Sequence, residues 1–262
     1  MATYQADALV IRTREHGEAD KLLTLFSREH GKLQAVAKGV RKPTSRQRAG
    51  AQLFTYGDFL LHRGRTWDTV NQASPRESFA HLWSDLDENM AAMAIAELLD
   101  AATAAGQSLP QVFTLTLSVF FLLEHFEPVI LQCSYTIRLL AMLGYAPVLH
   151  RCVECGSSLK GETVKFDPER GGVICPRCVS DGQTRIIKAG SAAFMQQLLL
   201  ADIRKIDRLR WPLWMQTEIR TILQEYCELK FEKRLRSWRM GENLTGGVGL
   251  DSTGRKGESP NE

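Results

Sequence analysis

Residues 32–48 read KLQAVAKGVRKPTSRQR, a stretch that joins a strand pattern to a basic turn. Its first half alternates with the period of a β-strand, and its second half is rich in turn-forming Gly, Pro and Ser. It carries six cations, and no acidic residue lies between Glu29 and Asp58, although the whole chain has a formal charge of only +3. A basic turn at the rim of a sheet suits a polyanion, because Lys and Arg can replace the counterions of a phosphate backbone. The alternative is a solvated loop whose cations only aid solubility.

The strand pattern continues on both sides of this stretch. We predict five short strands, at residues 8–11, 22–26, 32–38, 52–62 and 67–72. Five strands without a long helical pattern indicate a small closed or nearly closed barrel of the OB type, whose loops and strand faces commonly bind oligonucleotides. Phe54 and Tyr56 lie two residues apart in the fourth strand and would share a face, either packed in the core or stacked on bases.

A helical pattern follows the barrel. Ser74-Pro75-Arg76-Glu77 has the form of a capping box and predicts a helix start. The apolar stripe of this first helix is Leu82, Leu86, Met90, Met93, Ala94, Leu98 and Ala101. Further helices are predicted at residues 111–126, from Pro128 to Leu143-Gly144, at 189–200 and after Pro212.

The end of the last predicted helix is basic. Its cations are Lys230, Lys233, Arg234, Arg236 and Arg239. Cations are favoured at any helix C-terminus by the helix dipole, so this cluster is either a dipole effect or a second DNA-contact surface.

Two C-x-x-C pairs lie between the third and fourth predicted helices. They are Cys152/Cys155 and Cys175/Cys178, separated by nineteen residues, with a hairpin predicted between them. This arrangement is typical of tetrahedral Zn²⁺ held by four thiolates, a closed and therefore structural site. The alternative is two redox or free-thiol pairs. His150 could serve as a ligand, but the four cysteines complete the set without it, and Cys133 and Cys227 fit helical cores.

Several classes of protein find no support in the sequence. The N-terminus lacks the pattern of a secretory signal, and the most apolar run is about a dozen residues, short of the roughly 20 that span a membrane. We therefore expect a cytoplasmic protein. No phosphate-binding or nucleophile-elbow motif occurs. His16-Gly17-Glu18 has the H-x-E form of zinc deaminases but lacks the P-C-x-x-C that those enzymes need, so we predict no catalytic residues.

Three segments resemble the RecO family of bacterial recombination and repair mediators. They are ALVIRTREHGEADKLLTLFSREHGKLQAVAKGVRK at residues 8–42, LFTYGDFLLHRG at 53–64 and LLAMLGYAPVLHRCVECG at 139–156. The resemblance extends over residues 1–240. It implies a protein of the RecF pathway, associated with the bacterial nucleoid, that binds single- and double-stranded DNA and anneals complementary strands. It also implies that, with RecR, the protein helps RecA to replace single-strand-binding protein, and that it is not an enzyme.

We predict an α+β chain. Residues 1–75 would form the OB-fold barrel, 76–148 and 185–240 a helical domain, 149–184 an inserted zinc-finger-like module with four cysteine ligands, and 241–262 a disordered tail. A mediator must grip DNA without reading its sequence, so phosphate contacts should dominate. The predicted DNA-binding residues are Lys32, Lys38, Arg41, Lys42, Arg46, Arg48, Arg63 and Arg65. A protein–protein adaptor built on the zinc module, with incidental nucleic-acid affinity, is the competing hypothesis.

Overall fold

The fold is a closed β-barrel followed by a helical body, as a computed structural model shows for residues 2–178 and 182–238. The barrel strands are β1 (Thr3–His16), β2 (Asp20–Ser27), β3 (Gly31–Ala37), β4 (Tyr56–His62) and β5 (Asp68–Glu77). Around the barrel they follow the order β1-β2-β3-β5-β4, in which only β3 and β5 run parallel. The predicted α+β class with an OB-type barrel is confirmed.

The barrel closes where β1, the first strand in this order, pairs with β4, the last. The first half of β1 pairs with β4 and its second half with β2, and a bulge between Val10 and Arg12 marks the change. Such a bulge bends a strand and increases its twist. The barrel interior is narrow and is filled by small and medium side chains, among them Ala8, Ala35 and Leu23. This filling leaves all ligand contacts to the outer face and the loops.

The predicted helix start at Ser74 is wrong, because β5 continues to Glu77 and pairs with β4 along that length. Pro75 is tolerated in the strand because the register between β4 and β5 shifts beside it, between Tyr56 and Gly57, and proline is accepted at such bulges. The first α-helix starts after a short 3₁₀ turn, Ala80–Trp83. Its cap is Asp85, whose carboxylate accepts hydrogen bonds from the backbone N–H groups of Asp87 and Glu88.

Besides a helical turn at 236–238, the described part of the helical body contains five longer α-helices. They are α1 (Leu86–Ala102), α2 (Pro110–Leu122), α3 (Pro128–Met142), α4 (Ala189–Leu200) and α5 (Leu213–Phe231). α3 is central and contacts the other four, which explains why ten of its fifteen residues are buried. α3 begins at Pro128 and is followed by Gly144 at φ +86°, as predicted. No described helix is both long and apolar enough to cross a membrane.

The apolar stripe predicted for α1 is only partly correct. Leu86 is 61% exposed, while four of the seven buried residues of α1 are alanines, two of which, Ala91 and Ala94, lie beside the start of α3. Small side chains let two helices approach closely, so the sequence pattern pointed to the larger residues and missed the contact surface.

A three-stranded sheet is inserted between α3 and α4. Its strands are β6 (Thr163–Asp167), β7 (Gly172–Ile174) and β8 (Arg185–Lys188), in the order β7-β6-β8. β6 and β7 form the hairpin that the sequence predicted between the two cysteine pairs. β8 leads directly into α4, which ties the insertion to the helical body.

The start of β3 packs tightly against the segment that joins α1 to α2. Gly31 has φ +63°, and a Cβ there would lie 1.9 Å from the carbonyl oxygen of Gln107. Lys32 then forms a β-bridge with Ala105, and its carbonyl accepts a hydrogen bond from Gly106 N–H at 3.0 Å. The barrel and the helical body are therefore joined through backbone contacts that need glycine.

We expect Gly31→Ala to destabilise the protein more than Gly17→Ala does. Both glycines have φ near +60°, but a Cβ at Gly17 meets no atom within 4 Å. Both variants bear the left-handed strain of about 1–2 kcal/mol. Only the Gly31 variant adds a collision, which should cost about 1–3 kcal/mol more. Urea unfolding of both variants measures the difference, and equal midpoints would contradict the tight joint.

Candidate nucleic-acid interface and metal centre

The basic loop, residues 38–50, lies across one end of the barrel. Gly39 N–H donates to the Asp20 carboxylate at 2.7 Å, and Gln47 Nε2 donates to the Asn71 carbonyl at 2.6 Å. Within the loop, backbone turns link Lys42 N–H to Gly39 and Ser45 N–H to Lys42. The loop is thus anchored to β2 and β5, and its side chains project from a defined backbone.

Four predicted cations of this loop are exposed and available. They are Lys38, Lys42, Arg46 and Arg48. Within the described residues, no carboxylate lies within 4 Å of any of them. Like charges gathered without counter-charges create a positive potential that attracts anions.

Arg41 serves a different purpose, because its guanidinium is already engaged. It pairs with Glu15 at 3.1 Å and donates to the carbonyl oxygens of Gly17 and Glu18. Its backbone N–H also donates to the Ala19 carbonyl. Arg41 therefore fixes the turn between β1 and β2 to the basic loop, although one side of the guanidinium remains exposed.

Lys32 lies away from the exposed cations, at the joint with α1. Its Nζ donates to the Asp100 carbonyl at 2.6 Å and to the Asp100 carboxylate at 3.0 Å, and its side chain is only 14% exposed. No local pattern pointed to this partner, which is 68 residues away. The geometry gives Lys32 a structural ion pair.

Arg63 and Arg65 lie in the turn between β4 and β5 and are both exposed. The Arg63 guanidinium lies over the Tyr4 ring, 5.2 Å from its centroid. Such a contact orients the cation and leaves its outer edge open to solvent.

Lys21 is a cation that the sequence argument missed. Its Nζ lies 3.2 Å from Gln52 Oε1, under the basic loop. Partial burial, together with the neighbouring cations Arg48 and Arg41, lowers the pKa of Lys21. Burial is the largest cause of this shift, and the positive charges of Arg48 and Arg41 add to it. No sequence signal places Lys21 there, because it lies on a separate strand.

Phe54 and Tyr56 do not offer a stacking face. Phe54 precedes β4 at φ +68° and is fully buried, with its ring 5.4 Å from that of Phe120. Tyr56 lies beneath the Arg76 guanidinium and against Phe113. The core alternative is therefore confirmed for Phe54, and Tyr56 belongs to the contact between barrel and helices.

The basic C-terminal segment is not the end of a helix, so that prediction is wrong. α5 ends at Phe231, Glu232 adopts φ +51°, and of the predicted cluster only Lys230 lies in the helix. The backbone N–H groups of Arg236 and Ser237 donate to the Glu97 carboxylate on α1. A cavity of about 500 Å³ separates this segment from β1, lined by Arg12, Lys233, Arg234 and Arg236 among others. Arg239 and the predicted tail lie outside the described residues.

The four cysteines of the two pairs converge at one point. The Sγ atoms of Cys152, Cys155, Cys175 and Cys178 all lie within 4.8 Å of one another. The Cys155 and Cys178 sulfurs are 3.8 and 3.6 Å from that of Cys175. Four sulfurs around a metal at about 2.3 Å lie about 3.8 Å apart, so the set fits a tetrahedral ion. His150 is not part of the cluster.

The surroundings of the cluster favour thiolates. Hydrogen bonds from the side chain and backbone of Ser157 lower the pKa of Cys155. The protonated Cys178 thiol donates to the Cys155 and Cys175 thiolates, and these hydrogen bonds raise the pKa of Cys178 to about 12, so one of the four sulfurs keeps its proton. A bound dication would displace that proton and neutralise the repulsion among the thiolates. The cluster is thus able to hold a metal ion, whereas Cys133 and Cys227 are single buried core residues, as predicted.

Comparison with known proteins agrees with this arrangement. Residues 1–79 match the family model "Recombination protein O N terminal", and residues 83–239 match "Recombination protein O C terminal". A DNA repair protein RecO from Desulfitobacterium hafniense (strain DSM 10664 / DCB-2) is 55% identical over 97% of this chain and 94% of its own length. RecO proteins from Heliobacterium modesticaldum and Pelotomaculum thermopropionicum are 39% and 38% identical, over 93% and 96% of this chain and 91% and 100% of their own lengths.

The closed OB-type barrel with a cationic rim is typical of the class of nucleic-acid-binding proteins. The family models cover almost the whole chain. The chain belongs to the RecO family of DNA repair proteins. The family that the sequence resembled is confirmed, and membership supports a role as a recombination mediator with DNA as a partner.

We expect substitutions of Lys32, which is ion-paired, and of Lys42, which is exposed, to have different effects on stability. Lys32→Met keeps the stem but leaves Asp100 without one of its two cations, and should cost about 1–2 kcal/mol of unfolding free energy. Lys42→Met is the matched control and should change stability by less than about 0.5 kcal/mol. Thermal or urea unfolding measures both. Equal effects would mean that the Lys32 pair contributes nothing to the joint.

Proposed function

We propose that this chain binds single- and double-stranded DNA through the sugar-phosphate backbone and anneals complementary strands. With RecR, it would help RecA to replace single-strand-binding protein, and it would break no covalent bond itself. The observation that carries the proposal is the set of exposed cations on the basic loop, Lys38, Lys42, Arg46 and Arg48, without carboxylate partners in the described part of the chain. Action on the bacterial chromosome would place the protein in the cytoplasm, at the nucleoid.

Annealing requires that the phosphate charge of the two strands be neutralised, and it makes or breaks no covalent bond. Two single strands repel each other through their phosphates, and base pairing provides the driving force once that repulsion falls. Cations on an anchored loop can replace condensed counterions on both strands, and the released ions favour the complex. Since phosphates carry no sequence information, such contacts suit a protein that must act on any gap.

The predicted DNA-binding residues differ in how free their side chains are to bind phosphate. Lys38, Lys42, Arg46 and Arg48 are free to bind phosphate, and Arg63 and Arg65 extend the basic rim along the β4–β5 turn. Arg41 would bind phosphate only alongside its pair with Glu15. Lys32 would act indirectly, by holding β3 against α1.

We further propose that the metal is one Zn²⁺ per chain and that its role is structural. Four thiolates are soft ligands that select Zn²⁺ over Mg²⁺ or Ca²⁺ and fill its tetrahedral shell. Backbone contacts add to the same arrangement, since Cys175 N–H donates to Cys152 Sγ at 3.3 Å. When bound, the ion would cross-link the two ends of the β6–β7 hairpin.

A second candidate function is a protein–protein adaptor centred on the cysteine module. One observation favours it. A cavity of about 720 Å³ lies between that module and α5, with the apolar side chains Phe166, Ile186 and Leu229 in its wall. Ile186 is highly exposed, as expected of a contact residue without its partner.

Loss of the loop cations should weaken DNA binding and reduce its salt dependence. For the triple variant Lys42→Ala/Arg46→Ala/Arg48→Ala, we expect the slope of log K on log[salt] for single strands to become shallower by about 2, at about 0.7 for each lost contact. The loss should be the same for all sequences. Fluorescence anisotropy at several salt concentrations measures the slope.

The matched control removes the same charge elsewhere. Lys205→Ala/Arg208→Ala/Arg210→Ala takes three exposed cations from the helical body and should leave the slope unchanged. Equal slopes for both triple variants would refute the loop as the DNA site. If the unaltered chain bound no DNA even at low salt, the adaptor hypothesis would replace this proposal.

The zinc proposal predicts about one metal ion per chain by elemental analysis, since four thiolates complete one tetrahedral shell. Cys175→Ser/Cys178→Ser removes two ligands and should abolish metal binding and lower the melting temperature. The single variant Cys133→Ala lies outside the cluster and should retain the metal. A purified chain that is metal-free yet as stable as the metal-loaded form would refute the structural role.

A further inference from the structure

The outer face of the barrel is divided between the helical body and an open surface. Near the basic loop, paired residues form a row across four strands, Arg14–Leu22–Val36–Thr69. Their neighbours Leu23, Ala35 and Val70 fill the barrel interior, so the row faces outward. Along this row Arg14 is exposed, Leu22 and Thr69 are half-buried, and Val36 is buried.

Two aromatic rings meet over this open surface. His16 ends β1, two residues after Arg14, and Trp67 immediately precedes β5, two residues before Thr69. Their ring centroids are 5.2 Å apart at an interplanar angle of 87°. The turns on either side of the row therefore close toward each other, and Trp67 remains 38% exposed. Tryptophan is normally largely buried, so the exposed part of this indole is an apolar surface that a ligand could cover.

The backbone at Trp67 is fixed by its own turn. A Cβ at Gly64 would lie 1.8 Å from the Trp67 carbonyl oxygen, so the turn can close only around glycine. Gly64 N–H donates to the Asp68 carboxylate at 3.0 Å, and Asp68 also accepts a hydrogen bond from the Tyr4 hydroxyl. The turn that carries the indole is consequently ordered before a ligand binds, which lowers the loop entropy lost on binding.

The charge around this aromatic pair suits an anionic chain. Arg65 lies in the same turn, Arg14 on the open row and Lys38 just after β3, all exposed and without a carboxylate within 4 Å in the described ranges. Of the nearby acidic groups, Glu15 pairs with a cation, Arg41. Asp20 and Asp68 accept hydrogen bonds from uncharged donors and keep their negative charges, and Glu18 is exposed.

We propose that Trp67, oriented by His16, is a stacking site for a base of single-stranded DNA whose phosphates lie on the basic loop. The inference rests on the DNA-binding function proposed above and adds a preference to it. Every base has a face that can stack on indole, so the contact is independent of sequence. Bases in a duplex are already stacked on one another, so the contact favours single strands over double strands.

The test compares two polymers with the same phosphates. Anisotropy titrations of the full chain would use an oligothymidylate and an abasic oligonucleotide of equal length at one salt concentration. Trp67→Ala should weaken oligothymidylate binding about 5- to 100-fold, the loss of one stacked base, and leave abasic binding nearly unchanged. Trp67→Phe should retain most of the affinity. Trp214→Ala removes an indole of similar exposure, 44%, from α5 and should change neither titration.

The outcomes separate the stacking site from the DNA-binding function. Unchanged oligothymidylate binding by Trp67→Ala, or an equal loss for both polymers, would overturn the stacking site while phosphate binding stands. No binding of either polymer by the unaltered chain would overturn the DNA-binding function and the stacking site together. Matching circular dichroism spectra and melting temperatures would show that the variants are folded.

Discussion

Asp100 of α1 receives two cations from the barrel, and the position of the two parts of the molecule depends on this carboxylate. Arg12 reaches it from β1 at 3.3 Å, and Lys32 reaches it from β3 at 3.0 Å. Beside this ion pair, Gly31 packs on the backbone at Gln107. A partly buried carboxylate that satisfies two cations is expensive to disrupt, because each remaining group would be left uncompensated. The helical body therefore covers one region of the outer barrel face and leaves the other region open.

This division explains why neighbouring cations differ in what they can do. Cations of the strands near α1 have carboxylates within reach and are used for structure. Except for Arg41, which pairs with Glu15, the cations of the basic loop lie beyond the strand ends, where the described chain offers them no acidic neighbour. Counting charge in residues 32–48 could not separate the two groups, because the separation depends on how far each side chain lies from α1.

Features set by neighbouring residues were predictable from the sequence. Pro128 and Gly144 mark the ends of α3, and the spacing of the cysteine pairs marks the hairpin between them, because caps and knuckles act over a few residues. Features set by distant contacts were not. Ser74 does not start a helix, because it lies in β5, which pairs with β4. The apolar pattern also gave no sign that alanines, and not Leu86, form most of the buried face of α1. The meeting of His16 with Trp67 depends on the curvature of the whole barrel, which no local pattern encodes.

The hydrogen bonds of Arg41 join the β1–β2 turn to the basic loop, so that the two segments should move together. Its backbone and guanidinium hold the carbonyls of Gly17, Glu18 and Ala19, so the β1–β2 turn and the basic loop form one unit. His16 is the last residue before that turn. A ligand that displaced His16 would have to move the loop as well, and a ligand that ordered the loop would restrain His16. We therefore expect a ligand bound at the basic loop and a base stacked beside His16 to change each other's affinity by the same factor.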